Sequence, residues 1–217
     1  MDQGQITPDT PFGKALQELA SDPQYNIFLD VGTWRGLGTT LCLVRGAALR
    51  RGTKIYSIEA NAQLHREACE NWRDRPACLE LIHGKLTNQI MPTHKIKEHP
   101  RFKQIEQHFD LYYRQDVIDV ARAPLVNLPR HIDVAVLDGG EFCAEGDLEK
   151  VLQTRPKVIA MDDVYTIKNE KNYEYLLNSG EWKLTKFGSD KNGWAVFRRQ
   201  GSATDDVYGG YIDTRPL

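Results

Sequence analysis

The chain has 217 residues, 28 basic and 30 acidic side chains giving a net charge of −2, and 41 % apolar against 27 % charged residues. This balance excludes a disordered, collagenous or membrane-embedded chain, and it lacks the basic excess that nucleic-acid partners require. The length suits one domain over residues 1–199 with a polar tail over 200–217, and leaves little room for a dinucleotide-binding domain beside a separate catalytic one. Cys42, Cys69, Cys78 and Cys143 form no C-x-x-C pair, the usage of reduced thiols in a cytoplasmic protein. Neither a secretory signal in the first 26 residues nor a membrane span is expected.

Short apolar runs alternate with helical patterns. Residues 27–31, 54–58, 79–82, 132–137 and 157–161 are apolar over several consecutive positions, as strands buried on both faces should be. Between them, 37–49 reads as an apolar helix and 62–73 as a charged amphipathic one. Leu148, Val151 and Leu152 share a helical face, as do Tyr173, Leu176 and Leu177. Alternating β and α units predict a parallel, doubly wound α/β sheet. Residues 181–187 and 194–198 flank the turn signal Asn192-Gly193, which predicts an antiparallel C-terminal hairpin.

The connection over 84–131 is long enough to be a helical insertion between the third and fourth strands. Phe102, Ile105, Phe109 and Tyr112 recur at helical spacing after Pro100. Its His94, His99 and His108 match no metal-ligand spacing. Tyr112, Tyr113 and Arg114 are candidates for an acceptor pocket. This insertion, the segment before Ile27 and the tail are the places left for acceptor recognition.

Ligands of open α/β sheets bind beyond the carboxyl ends of the strands, and every strand delivers polar or Gly residues there. The first is followed by Gly32-Thr33-Trp34-Arg35-Gly36-Leu37-Gly38-Thr39, with Asp30 just before. The second ends at Glu59, the third at His83-Gly84, the fourth at Asp138-Gly139-Gly140-Glu141 and the fifth at Asp162-Asp163. A Gly-rich turn lets backbone approach a ligand. A tight strand–helix connection explains such a turn equally well, but Glu59 at the end of the next strand favours a ribose-bearing cofactor. Trp34 is placed near that cofactor, and His83 with Gly84 beside its adenine. His131 begins the fourth strand, at the wrong edge for catalysis.

FLDVGTWRGLGTT, IYSIEAN, DVAVLDGGEF, KVIAMDD and the closing NGWAVF resemble the motifs of class I S-adenosylmethionine-dependent methyltransferases, most closely the catechol-type and sugar O-methyltransferases. The resemblance spans roughly residues 10–199. It implies a Rossmann-like seven-stranded sheet in the order 3-2-1-4-5-7-6. It also implies an S-adenosylmethionine site made of Asp30, Gly32, Thr33, Trp34, Gly36, Gly38, Thr39, Glu59, His83, Gly84 and Asp138. The catechol-type members hold a divalent metal on residues matching Asp138, Asp162 and Asp163, and the last stands where they carry Asn. Mg²⁺, Mn²⁺ or Ca²⁺ suits such oxygen ligands and would relieve the repulsion of three acids. The alternative is that Asp138 meets cofactor or solvent while Asp162 or Asp163 caps the next helix. The catechol enzyme's base is a Lys where this chain has Glu141. Glu141, with Asp138, is the catalytic candidate.

The expected activity is O-methylation of a saccharide or glycan hydroxyl, with a phenol or catechol as the alternative acceptor. A NAD(P)-dependent oxidoreductase would show G-x-G-x-x-G instead of G-x-x-x-G-x-G. An amino-directed nucleic-acid methyltransferase would show Pro-Pro-aromatic after the fourth strand. A non-catalytic cofactor-binding module and assembly into a homo-oligomer stay open.

Overall fold

The computed structural model describes residues 6–201. Seven strands form one sheet: β1 (Ile27–Val31), β2 (Lys54–Glu59), β3 (Leu79–His83), β4 (Val134–Leu137), β5 (Val158–Asp162), β6 (Trp182–Gly188) and β7 (Trp194–Arg199). Their order is β3-β2-β1-β4-β5-β7-β6. The first five pair in parallel, and β7 runs antiparallel to both β5 and β6. The expected sheet and its closing hairpin are both present.

The apolar runs explain the layering. β4 and β5 are buried at every position, and successive residues point to opposite faces. Phe28, Val134, Val136 and Val158 pack into one layer. Leu29, Ala135, Leu137 and Ile159 pack into the other.

The first layer is covered by α1 (Pro11–Ser21) and α2 (Thr39–Ala47). The helix α1 was not among the expected elements. Thr10 caps it by accepting from Gly13 N at 3.1 Å, and Pro11 occupies its first turn. Phe12, Leu16 and Leu19 are buried, so this part of the segment before Ile27 completes the core. Ala62–Asn71 forms α3, capped by Asn61.

The insertion contains α4 (Thr93–Glu98), α5 (Phe102–Ile105) and α6 (Phe109–Arg122). It has its own apolar centre of Ile96, Ile105, Phe109, Phe142 and Ile167. Tyr113 packs on Phe109 and Phe142 at 5.5 and 5.7 Å between ring centroids. Tyr113 is thus part of this centre, while Tyr112 is exposed.

The remaining helices are α7 (Ala144–Gln153) and α8 (Glu170–Asn178). Leu177, expected on the inner face of α8, is 46 % exposed, while Leu176 is buried. Among the described residues no helix is long and apolar enough to cross a membrane. Gln200 N donates to Glu181 O at 2.8 Å, and the remainder of the expected tail lies outside the described residues.

Candidate active site

The β1–α2 turn is held by buried hydroxyls. Asp30, fully buried, accepts from Thr39 Oγ1 (2.8 Å), Thr40 Oγ1 (2.6 Å) and Ser57 Oγ (2.8 Å). Thr33 Oγ1 lies 2.6 Å from Ser57 Oγ. Asp30, Thr33 and Thr39 were expected to touch the cofactor, and their side chains bond to one another, to Thr40 and to Ser57 beneath the turn. Burial pushes the Asp30 carboxyl up to about 6 against these three donors.

Gly32 has φ +100°, and a Cβ there would lie 2.1 Å from the Asp138 carbonyl oxygen. Only glycine lets β1 and the β4 loop come so close. Gly36 has φ +73°, and its carbonyl accepts from Trp72 Nε1 at 2.7 Å, which pins the outer part of the turn. Gly38 forms the N-cap of α2 without a side-chain bond.

A cleft of about 630 Å³ opens at the carboxyl ends of β1, β2 and β4, within the size range of small-molecule sites. Gly32, Trp34, Glu59, Gly84 and Asp138 line it together, as the sequence places them. Asp116 and Asp119 of α6, with Asp147 of α7, complete its acidic wall. Glu59 accepts from Trp34 N at 2.6 Å and from Asn61 N at 2.8 Å. Each carboxylate oxygen keeps a second lone pair for a ligand hydroxyl. Burial pushes Glu59 up to about 7, although both backbone donors pull the other way. Trp34 adopts φ 50°, and the Arg35 guanidinium lies 4.7 Å from its ring centroid. His83 is not in the lining: its Nε2 lies 3.2 Å from Ala60 O, and its ring packs on His65.

The insertion is tied to this cleft. Asp116 accepts from Phe142 N at 2.7 Å, and Asn61 Nδ2 donates to Asp119 at 3.2 Å. Lys85 N donates to Pro124 O and Lys85 O accepts from Val126 N, both at 2.9 Å. Neither Asp116 nor Asp119, both on α6, was singled out from the sequence.

At the β4–β5 edge, one oxygen from each of Asp138, Asp162 and Asp163 lies within 4.8 Å of the others. These carboxylates converge as expected, but with a cation the sequence reading missed. Lys168 Nζ donates to Asp138 Oδ1 at 2.6 Å and to Asp163 Oδ2 at 3.0 Å. Burial would lower the Lys168 pKa, but Asp138, Asp163 and Glu141 raise it well above the lysine range. Asp163 has φ 56° and is clamped by Lys168 and by Asn192 Nδ2 (2.8 Å). That left-handed backbone costs about 1 kcal/mol and persists where surrounding bonds hold it. Burial, with the charges of Asp138 and Asp163, pushes Asp162 up to about 8.

Glu141 lies beside this group. Burial and its acidic neighbours push it up to about 7 against the pull of Lys168, and its carboxyl accepts no hydrogen bond among the described residues. His131 pairs with Asp133 at 3.0 Å at the opposite edge of the sheet, as expected.

No protein-family model and no curated protein matches this chain. Solved structures do. A methyltransferase from Geobacter sulfurreducens superposes with a TM-score of 0.57 at 15 % identity, over 89 % of this chain and 80 % of that one. An O-methyltransferase from Bacillus cereus in complex with SAH gives 0.59 at 18 %, over 92 % and 85 %. An O-methyltransferase from Streptomyces achromogenes involved in tomaymycin synthesis, in complex with SAM, gives 0.57 at 16 %, over 92 % and 84 %. The chain has the Rossmann-like fold that these methyltransferases share.

Proposed function

We propose that the chain is an S-adenosylmethionine-dependent O-methyltransferase, with residues 1–199 as one catalytic unit and the 84–131 insertion on the acceptor side. The observation that carries this reading is the acid-lined cleft at the carboxyl ends of β1, β2 and β4. Glu59, Asp116, Asp119, Asp138 and Asp147 line it against a single Lys85, a wall that suits a cationic sulfonium bearing an ammonium group. Two O-methyltransferases of the same fold were solved with SAH and SAM, which supports the same cofactor here. The four cysteines are free, in keeping with a cytoplasmic setting.

Bound S-adenosylmethionine supplies an electrophilic methyl group. Glu59 receives the ribose hydroxyls on its remaining lone pairs, and Trp34 walls the turn side of the cleft. Glu141 takes the acceptor's hydroxyl proton while the oxygen bonds to the methyl carbon and the carbon–sulfur bond breaks. A group titrating near 7 is matched to that task at neutral pH. A divalent ion does not fit the acidic cluster as it stands. Lys168 already bonds two of its three carboxylates, and burial with the charges of Asp138 and Asp163 disfavours a charged Asp162. No step is therefore assigned to a metal.

A saccharide hydroxyl is the favoured acceptor. Glu141 lies beside the polar cluster of Asp138, Asp163 and Lys168, groups suited to a polyol. The aromatic rings that would sandwich a phenol are packed on one another, with Phe109 and Phe142 both buried.

The test is calorimetry with S-adenosylhomocysteine and NADH, followed by labelled S-adenosylmethionine with panels of glycans and phenols. Binding of the first ligand alone and label on a glycan are expected. Label only on phenols would move the acceptor class. Tight binding with no labelled product would leave a non-catalytic module, and NADH binding would overturn the reading. Glu141→Gln should lower turnover about 100-fold with cofactor affinity unchanged, measured by initial rates and calorimetry.

A further inference from the structure

We propose that the Lys168 ammonium is the resident cation of the β4–β5 edge, standing where a divalent ion would otherwise sit among Asp138, Asp162 and Asp163. Its nitrogen is within hydrogen-bond distance of two of these carboxylates, at 2.6 and 3.0 Å. The three carboxylates themselves lie within 4.8 Å of one another, so ammonium and metal compete for the same space. A divalent ion bound there would also stand next to a buried positive charge.

The lysine is fixed, not passing through. Its side chain is 7 % exposed, and its backbone N–H donates to Thr166 Oγ1 at 3.2 Å. The next residue, Asn169, is fully buried and donates to Leu137 O at 3.3 Å and Asp162 O at 2.8 Å. The loop that carries the ammonium is thus anchored to the ends of the two strands that carry the acids. Asp163 is turned into its left-handed conformation with one oxygen on Lys168 and the other on Asn192.

Two of the three ammonium donors are thus spent on carboxylates that a metal would need, and this competition does not rest on the methyltransferase reading.

The test uses Mn²⁺ and the full chain. Electron paramagnetic resonance would follow free Mn²⁺ with wild type, Lys168→Ala, Lys168→Arg and the double variant Lys168→Ala with Asp162→Asn. Wild type and Lys168→Arg should leave Mn²⁺ free up to about 1 mM, whereas Lys168→Ala should bind it at least about tenfold more tightly, and the double variant should lose that gain. Uptake by wild type as tight as by Lys168→Ala would overturn the proposal. So would a folded Lys168→Ala that gains nothing. If Lys168→Ala does not fold by circular dichroism, wild type decides: Mn²⁺ uptake abolished by Asp162→Asn overturns the proposal, and no uptake supports it. S-adenosylhomocysteine calorimetry on the same samples separates the two readings. If that ligand fails to bind, methyl transfer fails, while the Mn²⁺ result still judges Lys168.

Discussion

Two acids near the cleft illustrate how burial divides similar residues into different roles. Asp30 is sealed below the β1–α2 turn with three hydroxyl donors, whereas Glu59 reaches the cleft with acceptor capacity to spare. Asp30→Ala should cost about 2–4 kcal/mol of stability, because it orphans buried hydroxyls, with thermal denaturation as the measure. Glu59→Ala should weaken S-adenosylhomocysteine binding at least about tenfold, since a hydrogen bond to a charged acceptor is worth about 1.5–3 kcal/mol. The pH dependence follows from Glu59 titrating near 7. The carboxylate is the better acceptor, so calorimetric affinity should fall as pH drops from about 8 to about 6 and should flatten in Glu59→Gln.

At the scale of elements, the insertion does two jobs through different contacts. Its rings close a separate apolar centre around Phe109 and Phe142, and its acids fasten α6 to the β2 and β4 loops. Phe142 sits at the junction: its side chain enters that centre while its backbone N–H meets Asp116. Phe142→Ala should cost about 3–5 kcal/mol in the packing it supports. Hydrogen exchange should speed up across α4 to α6 while β1, β4 and β5 stay protected, because their cores are separate.

At the scale of the whole molecule, acids with raised pKa values outnumber those that are lowered among the described residues. Burial lifts Asp30 and Asp116 to about 6, Glu59, Glu141 and Asp147 to about 7, and Asp162 to about 8. Between the ordinary carboxylate range and these values, the folded chain binds more protons than the unfolded one. Stability must then fall as pH rises through that window. Asp133 acts oppositely. Burial disfavours its charge, but Lys157 and the backbone N–H groups of Asn26 and Ile27 draw it down to about 2. Its contribution is present above the ordinary Asp value and fades as pH falls through the folded value. The melting temperature should therefore be higher at about pH 5.5 than at about pH 8, as calorimetric scans at constant ionic strength would show.

Sheet and ligand edge were legible in the chain because each rests on local pattern, whereas the strand order came only from the family resemblance. Apolar runs buried on both faces mark strands, and ligands collect at their carboxyl ends. The helix α1 was legible in principle, through Thr10-Pro11 and the spacing of Phe12, Leu16 and Leu19. Of the acids that face the cleft, Glu59 and Asp138 were legible, while Asp116, Asp119 and Asp147 were not. Asp30 and Glu59 both lie near the carboxyl ends of apolar strands, and only packing buries one under hydroxyls while the other lines the cleft. The partnership of Lys168 with Asp138 spans 30 residues and a change of strand, and nothing in the chain near either residue announces it. Sequence by itself determined the layers and the edge where chemistry gathers, because periodicity and turn residues act over a few positions. Tertiary structure alone decided the charge state of that edge, because burial and the meeting of an ammonium with distant carboxylates exist only once the chain has closed.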